Sequence, residues 1–357
     1  MPRFVILDFV RFVLAALVAM MHFNGFAAPH KAYLAVDFFF ILSGFVLSVA
    51  YERKAGAKAF YKSYIVDRIA RLYPLHLLVL LLLVPVNLLF HKTSGGQLLE
   101  NGWSYQDGRI YTFLLNLFML QNVGLNTAGS WNAPAWSISI EMFVNVFLGL
   151  ALIAIARKRV VWPSLLAVVV ISYMFIFGEY GNLGVIYERV FGLFNAGLLR
   201  GFAGIALGVI SYQLWQLLAQ NPANLPIARL VAAVSATASM LIMLVFTGFT
   251  YGDLAIIPLM FLFVTSTAVL EKLSPIRDGR VRSFMIELGA LSYGVYLLHW
   301  LVLTFMRYQL VYVWKVPINF NSPIALLSFL AIVIGSAVVI HHKFELPMKG
   351  LVRKWLA

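Results

Sequence analysis

Ten runs of about twenty apolar residues, each bounded by glycine, proline, asparagine or a cluster of charges, dominate this chain. A run of that length matches the hydrocarbon core of a bilayer when it is helical, at about 1.5 Å per residue. The composition closes off other folds. Of the 357 residues, 62% are hydrophobic and 11% charged, where a soluble domain carries about 25% charged residues. A soluble fold of this size still exposes about a quarter of the surface of its unfolded chain, and too few polar side chains are present to cover it. Soluble globular, disordered and disulfide-scaffold classes are excluded, and the absence of cysteine removes thiol nucleophiles and thiolate metal sites. The expected fold is an all-α polytopic membrane protein of about ten transmembrane helices. Residues 1–357 then form a single transmembrane domain with no room for a separate soluble one.

The expected spans lie near 4–24, 34–50, 73–91, 132–156, 163–178, 198–218, 229–248, 253–270, 287–306 and 323–342. Segment 110–123 is apolar but short, and is expected to be re-entrant or interfacial. The first run could pass for a signal peptide ending near Ala28, but Asp8 and Arg11 interrupt it, which favours an uncleaved span. The net charge of +13 is distributed by side. Arg53, Lys54, Lys58, Lys62, Arg68 and Arg71 follow span 2, Arg157, Lys158 and Arg159 follow span 4, and Lys272, Arg277, Arg280 and Arg282 follow span 8. Lys343, Lys349, Arg353 and Lys354 end the chain on the same side. The positive-inside rule therefore places both termini in the cytoplasm, with Ala57 inside and Gly95 outside. The charge is attributed to loop bias and to anionic ligands rather than to nucleic acid, which is not an expected partner.

Ionisable groups inside a span are expensive, and each is a candidate functional residue. In span 1, Arg11 and His22 share a face and stand roughly 16 Å apart along the axis, with Asp8, Ala15 and Ala19 on the same stripe. A plainer account pairs Asp8 with Arg11 and lets His22 reach the outer headgroups. Span 2 opens at Asp37 and carries Ser43 and Gly44 two turns deeper. Asp37 is placed to orient a histidine at its own depth, Gly44 to admit a close helix, and Ser43 to bond its backbone or a ligand. Span 4 begins with Pro134 and Trp136 and carries Glu141 roughly 13 Å down the helix, with Asn145 on the same face. A carboxylate at that depth must pair, protonate or face water. Arg68 and Arg71, at i and i+3 just before Pro74, present two guanidiniums one way, an arrangement suited to phosphate as well as to ordinary loop charge. In span 9, Tyr296 and His299 share a face; a buried, hydrogen-bonded histidine is the plainer account of His299. No histidine spacing suggests a metal site.

Taken in order, these segments resemble acyltransferase family 3, integral membrane proteins that O-acylate bacterial surface glycans and other extracytoplasmic acceptors. The residues that carry the resemblance are Arg11 and His22 across ten residues, DFFFILSGF at 37–45, RIARLYP at 68–74, WSISIE at 136–141, LSYGVYLLH at 291–299 and FELP at 344–347. Many relatives add a C-terminal extracytoplasmic domain, which this sequence does not show, so the acceptor is less defined than the chemistry.

The resemblance implies a multi-pass protein of the bacterial inner membrane. It implies a cytoplasmic acyl-CoA donor, acetyl-CoA in the first place, with no metal, and a hydroxyl on an extracytoplasmic glycan or lipid-linked molecule as acceptor. On that basis Arg68, Arg71 and Arg11 are expected to bind the CoA moiety, and His22, Arg11, Glu141 and Asp37 to form the catalytic group. Ser43, Trp136, Tyr296 and His299 are expected to contact substrate. His22 would accept the hydroxyl proton or carry the acyl group itself, and Glu141 or Asp37 would orient its ring, Glu141 being preferred for its burial. A pantetheine arm is about as long as the Arg11–His22 separation. A homo-oligomer is compatible with the sequence. The rival from another class is an ion-coupled transporter or exporter that uses Asp8, Arg11, His22 and Glu141 as a proton relay. The absence of internal repeats argues against it.

Overall fold

The computed structural model describes residues 3–25, 28–93, 109–157, 161–246 and 251–356. Among these residues twelve α-helices follow one another: α1 Val5–Phe23, α2 Ala35–Tyr51, α3 Phe60–Thr93, α4 Arg109–Leu117, α5 Trp136–Ala156 and α6 Trp162–Glu179, then α7 Ala196–Leu218, α8 Leu225–Val245, α9 Ile256–Leu273, α10 Arg280–Phe305, α11 Pro323–Ile340 and α12 Leu346–Leu356. Among the described residues, ten helical segments are long and apolar enough to cross a membrane. The chain is an all-α polytopic membrane protein. The strands described are two-residue ones, Arg189–Val190 and Phe194–Asn195, paired antiparallel between α6 and α7. Helix α4 spans about 13 Å, too short to cross, as the length of its apolar segment foretold. Lys158, Arg159 and Gly95 lie outside the described residues.

Two helix starts differ most from expectation. Helix α3 starts at Phe60 and runs through Pro74 and Pro85, so Pro74 does not open the helix. A proline is tolerated inside a buried helix where neighbours serve the backbone it frees. The carbonyl Pro74 frees is that of Ala70, and two residues on the Tyr293 hydroxyl of α10 donates to the Leu72 carbonyl at 2.6 Å, tying α10 to α3 beside the proline. Likewise α10 begins at Arg280 rather than near 287, because charged residues suit the turns by which a helix longer than the bilayer extends past it.

Helix α1 is clamped against α10 and α9. Gly289 of α10 admits the contact: a Cβ there would stand 2.6 Å from the Asp8 Cβ. At its N-terminus, the Ile6 amide donates to Glu271 Oε1 of α9 at 2.9 Å. At its C-terminus, Arg307 Nη2 donates to the Phe23 carbonyl at 2.9 Å. An acid at the positive end and a base at the negative end both complement the helix dipole. Helices α2 and α7 cross with their backbones nearly touching. A Cβ at Gly208 would collide with the Ile41 carbonyl, and one at Gly44 with the Ile205 carbonyl, which is the close approach expected of Gly44.

Candidate functional site

A cavity of about 500 Å³ opens among α2, α3, α5, α10 and α12. Its lining changes character along its length. One part carries Lys54, Arg68, Arg71, Lys349 and Arg353, with Arg11 from α1. The other carries Ser43, Ser137, Glu141, Phe39, Ile138 and Tyr296. Among the described residues the acids on the wall are Asp67 and Glu141, so the cavity is suited to a polyanion at its basic end.

The arginines are held, not loose. Arg68 lies over the rings of Tyr51 and Tyr64, at 5.5 and 5.9 Å, and its Nη2 donates to the Tyr51 hydroxyl at 3.3 Å. Its buried Nε has no hydrogen-bond partner. A guanidinium fixed by aromatic rings keeps its planar fork pre-organised for an oxyanion. One turn on, Arg71 lies over the Tyr293 ring at 5.4 Å, and its Nη1 donates to Glu345 Oε1 at 2.7 Å. Glu345 meets His341 Nδ1 through its other oxygen at 2.9 Å, across the π-helical turn His341–Glu345. Arg11 donates from Nε to Ser292 Oγ at 2.7 Å and from Nη2 to the Gly289 carbonyl at 2.9 Å, and pairs with Asp8 at 3.2 Å. The Asp8–Arg11 pair therefore exists, and Arg11 still faces the cavity.

Glu141 accepts from Ser43 Oγ at 2.7 Å, so the polar groups of spans 2 and 4 meet at the cavity wall. Tyr296 donates to the Pro134 carbonyl at 3.0 Å and contacts Ser137 Oγ at 2.9 Å. Its ring stands edge-on to His299, with centroids 5.9 Å apart. His299 is fully buried, and its Nε2 lies 3.2 Å from His22 Nδ1. Neither histidine lines the cavity; Tyr296 connects the cavity wall to them. Trp300 closes the other side of His22, with ring centroids 5.6 Å apart.

The chain matches the acyltransferase domain of acyltransferase family 3 over residues 4–342. It belongs to that family. It is also 34% identical over 159 residues to "Protein 2 in picA locus" of Rhizobium radiobacter, covering 40% of this chain and 79% of that protein. No solved structure matches it. The protein is thus a membrane acyltransferase with a multi-pass helical body.

Against that family assignment, the expected site residues divide. Arg11, Ser43, Arg68, Arg71, Glu141 and Tyr296 converge on one cavity, and His22 and His299 form a pair beyond its Tyr296 wall. Asp37 and Trp136 do not join them. Asp37 is fully buried, and both its oxygens are taken by Arg200, Nη2 at 2.6 Å and Nε at 3.2 Å. Its expected role as a partner for His22 gives way to a buried ion pair. Trp136 lies under Arg200, 5.4 Å from guanidinium carbon to ring, and packs on Phe40, so it supports that pair and does not face the cavity. Glu141, expected to orient His22, hydrogen-bonds Ser43 instead, and the side chain on His22 Nδ1 is His299. The sequence reading missed Arg200, a lone cation within an apolar span, which is itself the signal that should have marked it. It also gave Tyr51 and Asp67 no role and counted Lys349 and Arg353 only as loop charge; all four reach the cavity only through folding of the helix ends around its basic part.

Proposed function

We propose that this acyltransferase moves an acyl group, acetyl in the first place, from cytoplasmic acyl-CoA to a hydroxyl of an extracytoplasmic glycan or lipid-linked acceptor, in the inner membrane of a bacterium. One observation carries the proposal. Tyr296 lines the cation-rich cavity, and its ring stands against His299, which contacts His22. The phosphates of CoA fit the basic end, where Arg68, Arg71, Lys54 and Lys349 line the wall. A pantetheine arm laid along the cavity carries the thioester past Arg11 toward His22, which lies about 16 Å further along α1. His22 receives the proton of the acceptor hydroxyl as its oxygen bonds the thioester carbonyl carbon. The C–S bond breaks, and the proton leaves with the CoA sulfur. In a two-step variant the imidazole first bonds the thioester carbon, the C–S bond breaks and CoA leaves as the thiol with the imidazole proton; the acyl-imidazole then passes the acyl group to the hydroxyl and takes back the hydroxyl proton.

The test is mass spectrometry of surface glycans from cells with the wild-type protein, with His22→Ala and with none. Wild-type cells should carry acyl esters that both other strains lack, since loss of a positioned acid–base group costs about 10²–10⁴-fold. Equal acylation in a well-expressed His22→Ala strain would remove His22 from the mechanism. Substrate flux without acyl-CoA consumption would favour the transporter.

A further inference from the structure

The second histidine has no place in that scheme as a substrate contact, because it is fully buried and off the cavity wall. Its surroundings give it another task. A neutral imidazole carries one N–H, and the acceptors around it decide which nitrogen holds the proton. His299 Nδ1 stands 3.3 Å from the Val295 carbonyl oxygen, which can only accept. The proton is therefore on Nδ1, and Nε2 is a bare lone pair. That lone pair lies 3.2 Å from His22 Nδ1, and the Val18 carbonyl oxygen lies 3.0 Å from the same atom. Two acceptors converge on His22 Nδ1, so it carries the proton and His22 Nε2 is left bare. The opposite arrangement, His299 Nε2 donating to His22 Nδ1, would set a lone pair against a carbonyl oxygen at both Val295 and Val18.

We propose that His299 is a positioning residue which, with the Val18 carbonyl, holds His22 in its Nδ1–H tautomer and so leaves Nε2 as the atom that meets substrate. Tyr296 stands edge-on to the His299 ring and Trp300 edge-on to the His22 ring, which hinders either from turning over. When His22 takes the hydroxyl proton on Nε2, its positive charge is shared through Nδ1–H with two neutral acceptors. Among the described residues these do the work that a carboxylate commonly does for a catalytic histidine. The inference rests on His22 being the group that receives the hydroxyl proton.

Two measurements test it. The first is nitrogen NMR on wild-type protein carrying isotope-labelled histidine in lipid nanodiscs, with His22 assigned by its loss in His22→Ala. A protonated Nδ1 and bare Nε2 on His22 are expected; a bare Nδ1 overturns the proposal, and no engineered fold is needed to see it. The second supplies radiolabelled acetyl-CoA to inside-out membrane vesicles and follows label into their glycan. His299→Leu should lower kcat about 10- to 100-fold, the range found when the partner orienting a metal-bound histidine is removed, with KM for acetyl-CoA unchanged. His299→Gln, whose side-chain oxygen can accept from His22 Nδ1, should recover most of the rate. Wild-type turnover in His299→Leu overturns the proposal, as does a Gln variant no better than Leu while both bind acetyl-CoA normally. Turnover in His22→Ala would instead remove the reading of His22 and leave the tautomer assignment standing.

Discussion

Arg68 and Arg71 stand one turn apart on α3, yet they are held by different means. Arg68 rests on two tyrosine rings with its Nε unpaired, whereas Arg71 shares a carboxylate with His341. Lysine at either position keeps the charge but loses the planar fork. One lost charge-assisted hydrogen bond is worth about 1.5–3 kcal/mol, so CoA binding by Arg68→Lys, measured by calorimetry, should weaken roughly 10- to 150-fold. Arg71→Lys should weaken it less, because one of its donors is already spent on Glu345. Wild-type affinity in both would reduce the arginines to loop charge. The Asp37–Arg200 pair makes a different prediction, about stability. Both side chains are fully buried, so Asp37→Asn leaves an uncompensated guanidinium and should cost about 3–5 kcal/mol. Asp37→Leu combined with Arg200→Met removes both charges and should recover much of that loss. Thermal unfolding in detergent decides it: equal melting of wild type and Asp37→Asn would show that the pair is not needed for the fold.

Helices α1 and α10 carry both histidines, so the site is only as well placed as their contact. The Glu271 cap and the Arg307 clamp fix the two ends of α1, and Gly289 lets its first turns lie against α10. The α2–α7 crossing places Asp37 beside Arg200 by a similar approach of backbones. A matched pair of substitutions tests how much that crossing depends on glycine. Gly208→Ala puts a methyl against the Ile41 carbonyl and should lower stability by about 1–3 kcal/mol. Gly335→Ala, in α11 with nothing within 4 Å of the new methyl, should be neutral or stabilising by about 0.4–1 kcal/mol. Thermal melts of the two variants that do not separate would mean the crossing can relax to accept a side chain.

Seen whole, the basic end of the cavity and the histidine pair lie toward opposite ends of α1, which suits the proposed transfer from one side of the membrane to the other. Away from the cavity's basic end, Asp253 ties three connections together: it binds Lys31 and Tyr33 before α2 and the Leu183 amide before α7, at 3.2 Å for the amide. The proposed sidedness has a direct test, since the native chain has no cysteine. A cysteine at exposed Val316, in the connection between α10 and α11, should react with an impermeant thiol reagent applied to intact cells. One at exposed Ala57, between α2 and α3, should react only after the membrane is opened. The reverse pattern would exchange donor and acceptor sides.

The bilayer makes some of this protein legible without coordinates. Lipid leaves an unpaired backbone group no partner, so about twenty apolar residues must become a helix, and span number and all-α class follow from counting. The same expense singles out Arg11, His22 and Glu141 in their apolar runs, and a motif order sufficient to suggest the family. Partner choice is another matter. Whether Asp37 meets a histidine or Arg200, whether Glu141 meets His22 or Ser43, and which nitrogen of His22 is bare depend on how helices far apart in sequence rotate against each other. A span's periodicity reports its own faces, not which neighbour covers them. Those rotations are set by packing, here by Gly44 against α7 and Gly289 against α1, and only the tertiary structure decides them.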